Sequence, residues 1–128
     1  MILAAEESVV RAICNDKFDG ERVSPSVFVG ENVSVSRLVI LSFEDLWAIL
    51  AEEVCRPPER ILKRLAKTTA SEIERVGSES DPPSDLKVHA APTETNPAHA
   101  EIRPRMTRGQ ANRLLKRVEY LELAESSN

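Results

Sequence analysis

The sequence has few aromatic residues, few glycines and no long apolar run, and each shortage excludes a class of protein. Aromatic residues make up 4% of the chain, so the stacked aromatic surface of a single-strand nucleic-acid binder is not expected. The 4 glycines are scattered and cannot form the glycine-rich loop that holds a nucleotide phosphate. No segment reaches the ~18 apolar residues that cross a bilayer. What remains is an ordinary globular composition, 41% hydrophobic and 30% charged.

Cysteine is also scarce, and its placement bears on the compartment. Cys14 and Cys55 are far apart in the sequence and belong to no metal-binding or redox motif. Their spacing permits a disulfide, but two reduced thiols in the cytoplasm are the simpler interpretation. Glu6 and Glu7 interrupt the apolar N-terminus, which has no basic residue before it and is not typical of a secretory signal. We therefore expect a cytoplasmic protein that does not associate with membranes.

The order of predicted elements favours an α+β fold. We expect a small, mostly antiparallel sheet packed against about three helices. Residues 1–123 form one α+β domain in this prediction, residues 77–85 an exposed linker within it, and residues 124–128 a frayed tail. A chain of 128 residues can bury a core of its own without metal or disulfides.

The first half of the chain is predicted to be strands followed by helices. Residues 8–14 are rich in β-branched residues and predict a strand, and residues 23–29 and 33–41 predict a hairpin around a turn at Gly30. Ser42 is a good N-cap for a helix that ends before Pro57. Pro58 then predicts the first residue of a second helix.

In the second half, shorter elements precede one clear helix. Residues 71–76 predict a helical turn that ends at Gly77. Residues 86–91 and 100–103 predict strands. Thr107 and Gln110 form a capping box that opens the last helix, whose apolar stripe is predicted to be Ala111, Leu114, Leu115, Val118 and Leu121.

The segment from Asn96 to Glu101 is the most distinctive for chemistry. His99 and Glu101 have the His-x-Glu spacing of zinc deaminases, but those enzymes need a later pair of cysteines, and none follows Cys55. A metal site built from His89 and His99 would still lack a third ligand. We therefore expect neither a metal nor a cofactor.

His99 and Arg37 are the catalytic candidates. The ordinary pKa of histidine suits proton transfer, and Asn96-Pro97 fixes the loop before His99. Arg37 falls on a predicted apolar strand face, so it must reach solvent, pair with a carboxylate, or line a pocket for an anion. Whether the two residues share a pocket is left open by the sequence.

Charge is unevenly distributed along the chain. The first 55 residues carry 4 basic and 10 acidic side chains, whereas the remaining residues carry 13 and 11. A basic cluster occupies residues 103–117 and could contact phosphates, or it could pair with the acidic half of the chain. Its members are Arg103, Arg105, Arg108, Arg113, Lys116 and Arg117.

Several segments together resemble a family of short, uncharacterised bacterial proteins. The resemblance covers roughly residues 8–103 and is carried by a serine-rich segment ending in Phe28, a strand of Leu-Ser-Val-x-Arg type ending in Arg37, and a late Asn-Pro-x-His-Ala motif at residues 96–100. Val33 replaces the usual leucine of the strand motif, and Pro25 stands where a small residue is common. The resemblance implies no mechanism. It implies that Ser24, Phe28, Ser34, Arg37, Asn96 and His99 occupy the motif positions.

Three functions follow as predictions, in order of preference. The first is a small interaction module that binds a protein partner, because no complete catalytic constellation is visible. The second is an enzyme acting on a nucleotide or RNA phosphate, in which His99 is the acid or base, Arg37 neutralises phosphate charge, and Ser24, Ser34 and Asn96 bind the ligand. The third is nucleic-acid binding through the 103–117 cluster.

Overall fold

One antiparallel sheet runs through the centre of the molecule. We describe residues 1–123 from a computed structural model, in which neighbouring strands are all antiparallel and follow the order β4-β5-β2-β1-β3-β6. The strands are β1 (Ser8–Cys14), β2 (Gly30–Arg37), β3 (Leu62–Thr69), β4 (Lys87–Ala90), β5 (His99–Met106) and β6 (Glu119–Leu121). The helices are α1 (Phe43–Glu53), α2 (Ala70–Ser78) and α3 (Arg108–Leu115). The predicted α+β fold is confirmed.

The core lies on both faces of this sheet. Val9 and Ile13 of β1 belong to a cluster that includes side chains of α2 and α3, whereas Val10 and Ala12 belong to a second cluster with α1. Successive strand residues point to opposite faces, so a strand covered on both sides is apolar throughout. This explains why β1 is so rich in valine and isoleucine.

Two helices begin where the sequence predicted. The hydroxyl of Ser42 accepts a hydrogen bond from the backbone N–H of Asp45 at 3.2 Å, which satisfies one of the free donors at the start of α1. Thr107 and Gln110 form the complete capping box at the start of α3. Local side-chain chemistry therefore sets both helix starts.

Two predicted elements of the first half are wrong. The hairpin does not form, because Pro25 opens a short 3-10 helix (Pro25–Phe28) and β2 pairs with β1 and β5 instead. The helix predicted from Pro58 is strand β3. Leu65 packs on the α1 side of the sheet and Ala66 on the α2 side, an apolar pair that fits a doubly covered strand as well as a helix.

The C-terminal elements also differ in extent from the prediction. Helix α3 ends at Leu115, and residues 119–121 pair with β3 as strand β6. The predicted linker at 77–85 begins inside α2, and its Ser80 and Ser84 hydroxyls accept hydrogen bonds from the Gln110 side chain at 2.9 and 2.7 Å. The predicted frayed tail, 124–128, lies outside the described residues. Within residues 1–123, no helix is both long and apolar enough to span a membrane.

A disulfide joins Cys14 to Cys55, so the expectation of two reduced thiols is wrong. The end of β1 and the residue after the last turn of α1 bring the two Cα atoms within 5.5 Å of each other, a separation that a disulfide bridges without distortion. Sequence spacing could not reveal this proximity because it depends on α1 packing across the sheet. The cytoplasmic location stays a prediction.

Candidate functional site

The sheet opens between its two central strands, and Arg11 fills the opening. Strands β1 and β2 pair only at Val9 with Arg37 and at Val10 with Ser36, although β1 pairs with β3 along its whole length. Beyond Val10 the two strands are no longer paired, and the Arg11 side chain forms hydrogen bonds to backbone carbonyls there instead. Its Nε donates to the carbonyl of Val27 at 2.8 Å and its Nη1 to the carbonyl of Ser34 at 3.0 Å.

A cavity of about 280 Å³ lies beside this opening, between the sheet and the second half of α1. We call it the main pocket. Hydrophobic side chains form much of its wall, and these are Val10, Ala12, Ile49, Leu50 and Val54. Polar side chains line the rest, which is the general composition of small-molecule sites.

His99 lines the main pocket with both ring nitrogens engaged. Nδ1 lies 2.8 Å from the carbonyl oxygen of Ala91, and Nε2 lies 3.1 Å from the hydroxyl of Ser34. A carbonyl oxygen can only accept, so Nδ1 carries the proton and donates it to Ala91. In the neutral ring, Nε2 is then the acceptor and points towards Ser34. The fixed tautomer is one that a general base requires.

Asn96 holds the loop that precedes His99. Its side chain is buried, its Nδ2 donates to the Ser36 hydroxyl at 3.0 Å, and its Oδ1 accepts from the backbone N–H of Ala98 at 3.0 Å. Both polar ends are thus satisfied within the fold. Asn96 positions the His99 strand against β2 and also lines the main pocket.

Arg11 is the unusual charge of the site. Burial lowers the pKa of its guanidinium from the ordinary value, yet an arginine stays charged in proteins. No carboxylate lies within 4.0 Å of it in the part of the chain that the structure describes. Glu53 also lines the main pocket, but its carboxylate accepts a hydrogen bond from Thr95 at 2.8 Å.

Arg37 makes the opposite arrangement on the same sheet. Its side chain forms a two-pronged ion pair with Glu7, in which Nη2 donates to Oε1 at 2.9 Å and Nε donates to Oε2. The hydrogen bonds from Arg37 to the Glu7 carboxylate raise the pKa of Arg37. Arg37 is therefore a partly buried arginine with a carboxylate partner. Arg11, on the neighbouring strand, has no carboxylate partner among the described residues.

The structure brings together three of the predicted site residues and separates the others. Ser34, Asn96 and His99 all line the main pocket. Arg37 does not line it, and its side chain pairs with Glu7 instead. Ser24 caps the 3-10 helix at residues 25–28 and lies in another surface depression.

The basic cluster at 103–117 is partly paired within the chain. Arg103 lies 2.8 Å from Glu101, and Arg117 lies 3.3 Å from Glu72. Arg105 is 4.0 Å from Glu31, and Arg113 donates to the backbone carbonyl of Glu79. Among the described residues, Arg108, Arg113 and Lys116 form no ion pair. Acidic partners therefore occupy half of the cluster, and the other half keeps its positive charge unpaired.

Arg11 is the residue that sequence reasoning missed. It lies between Val9 and Ile13 on one face of the first predicted strand, which is the same signal that singled out Arg37. An isolated charge on an apolar strand face would have found it.

Comparisons with known proteins add no functional argument. No protein-family model, curated protein or solved structure matches this chain. The resemblance to the short bacterial proteins stays a prediction, and the argument for function rests on the geometry of the main pocket.

Proposed function

We propose that this protein binds a small anionic ligand at Arg11, beside the main pocket, with the Arg11 guanidinium as its counterion. The observation that supports the proposal is a partly buried arginine that lines a cavity and whose guanidinium, among the described residues, has two carbonyl oxygens and no carboxylate as partners. A buried charge without a counterion is costly. An anion at Arg11 would supply one and would accept from the N–H groups that Arg11 leaves unused.

The surrounding polar groups suit the same ligand. The Ser34 hydroxyl and the His99 ring lie at one end of the pocket. A hydroxyl and an imidazole can both form hydrogen bonds with the polar groups of a ligand. A hydrophobic wall on α1 excludes water and strengthens the charge–charge attraction.

The proposal is tested by calorimetric titration with inorganic phosphate, sulfate and acetate. Arg11→Met keeps the length of the side chain and removes its charge, and we expect it to weaken anion binding at least about tenfold, the effect of losing a charged hydrogen bond. Arg108→Met removes the same charge from an exposed position and should bind like the parent protein. Equal weakening in both variants would show a nonspecific charge effect and would overturn the proposal.

A second variant keeps the test decisive if Arg11→Met does not fold. Arg11→Lys retains the positive charge but replaces the planar five-donor guanidinium by a compact ammonium, which cannot reproduce the same spread of hydrogen bonds. We expect a folded protein with reduced anion affinity. Unchanged affinity for every anion would contradict a role for the guanidinium.

His99 favours a second candidate function, hydrolysis of a phosphate ester held at Arg11. Its Nε2 would take a proton from the attacking water as the water oxygen bonds to phosphorus, and would return that proton to the leaving alkoxide as the ester phosphorus–oxygen bond breaks. The test is turnover of 4-nitrophenyl phosphate by the parent protein and by His99→Gln across a pH series. Turnover that is lost in His99→Gln supports catalysis, and the absence of turnover leaves the protein a binding module only.

The sequence also predicted binding of a protein partner and binding of nucleic acid, and both stay predictions. The internal ion pairs of the 103–117 cluster favour the anion pocket over a nucleic-acid surface.

A further inference from the structure

A smaller cavity adjoins the main pocket on the other side of Arg11. It has a volume of about 140 Å³, and Arg11, Ala12 and Val54 contribute to the walls of both cavities. We call it the side pocket. The side pocket extends from this shared wall towards Lys17 and Ser26, so a ligand that reaches past Arg11 would contact both cavities.

The side pocket is positively charged. Lys17 and Arg60 line it together with Arg11, and Asp16 is its acidic residue. The Asp16 carboxylate lies 3.8 Å from the Nε of Arg60, a loose and exposed pair of little strength. Among the described residues Lys17 forms no ion pair. Three cations thus face one carboxylate, an arrangement that suits a group carrying more than one negative charge.

The main pocket differs from it in character. Its hydrophobic wall consists of Ile49 and Leu50 of α1 and of Val54, which follows α1. Its polar side includes Glu53 and Thr95. An acidic side chain repels an anion and accepts hydrogen bonds from hydroxyl or amino groups. The main pocket therefore suits the uncharged body of a ligand better than a second anionic group.

We infer that the ligand is a small phosphomonoester whose phosphate occupies the side pocket and whose organic body occupies the main pocket. This inference rests on the proposed anion-binding function and names the ligand class. Arg11, at the junction, contacts the phosphate, while Lys17 and Arg60 complete its charge neutralisation. The body packs against α1 and offers donors to Glu53.

The test compares three probes by calorimetry: inorganic phosphate, phenyl phosphate and phenol. We expect phenyl phosphate to bind at least about tenfold more tightly than inorganic phosphate, because its ring buries apolar surface in the main pocket. Phenol should bind far more weakly than either. Equal affinity for phosphate and phenyl phosphate overturns the ligand class but leaves anion binding at Arg11 intact. If neither anion binds, both proposals are overturned.

Two sets of variants assign the halves of the ligand to the two cavities. Lys17→Gln with Arg60→Gln should weaken inorganic phosphate and phenyl phosphate alike, by about tenfold, whereas Lys63→Gln with Arg108→Gln removes equal charge elsewhere and should not. Ile49→Ala should remove most of the additional affinity of phenyl phosphate over inorganic phosphate and should leave the affinity for inorganic phosphate unchanged. If the double variant Lys17→Gln, Arg60→Gln binds both phosphates as tightly as the parent protein, the side pocket does not hold the phosphate and the inference is wrong.

Discussion

The disulfide between Cys14 and Cys55 should contribute strongly to stability. It closes a loop with a sequence separation of 41, and loop closure of this length removes about 13 cal/mol/K of entropy from the unfolded chain, or about 4 kcal/mol near room temperature. Unfolding a chain of 128 residues carries an entropy of about 270 cal/mol/K. Loss of the disulfide should therefore lower Tm by about 15 °C.

The assay is thermal unfolding followed by circular dichroism, with and without a dithiol reductant. The double variant Cys14→Ala, Cys55→Ala is the matched control, since it should unfold near the temperature of the reduced protein and be insensitive to the reductant. Alkylation of the unreduced protein under denaturing conditions should modify neither cysteine. Modification of both cysteines, or a reductant effect below about 3 °C, would refute the reasoning.

Three further predictions concern the stability of the fold. Replacing Asn96 by Ala leaves the partners of its amide unsatisfied in the core, so the free energy of unfolding measured with urea should fall by about 2 to 3 kcal/mol. In Gly77→Ala, the new Cβ would lie 2.6 Å from the backbone oxygen of Ser84, and urea unfolding should show a loss of about 1 to 3 kcal/mol; Gly109→Ala, where nothing lies within 4 Å, should be neutral or stabilising. The backbone N–H groups of Arg22 and Glu21 lower the pKa of Asp19 from 3.8, so the stability contributed by Asp19 is present above pH 3.8 and is lost as the pH falls through the lowered pKa. Urea midpoints measured across that range should fall less in Asp19→Asn than in the parent protein, and equal slopes would contradict the prediction.

Elements fixed by local chemistry could be predicted from the sequence. Ser42 and the Thr107–Gln110 capping box set the starts of α1 and α3, and the β-branched residues at 8–14 set β1. Strand β3 could not be predicted, because Leu62 and Leu65 have a spacing compatible with a helix and only the sheet around them decides. The disulfide and the short pairing of β1 with β2 are likewise properties of the tertiary arrangement.

The candidate site was predictable in part for the same reason. Ser34, Asn96 and His99 stood out through their motif, and the structure places all three at one cavity. Arg37 was a reasonable anion-binding candidate until its partner Glu7, which lies 30 residues away in the chain, was located. Arg11 has the same sequence signature and no such partner among the described residues. The distinction between the two arginines depends on contacts that are distant in sequence.

Anion binding at Arg11 should be visible in the side-chain Nε–H resonance of Arg11 during a nitrogen-15 NMR titration with inorganic phosphate. Arg11→Lys assigns the resonance, and the Arg37 resonance serves as the internal reference because its Nε is bonded to Glu7. Anion binding at Arg11 predicts a saturable shift of the Arg11 resonance with little change at Arg37. A stationary Arg11 resonance at phosphate concentrations that shift other arginines would contradict it.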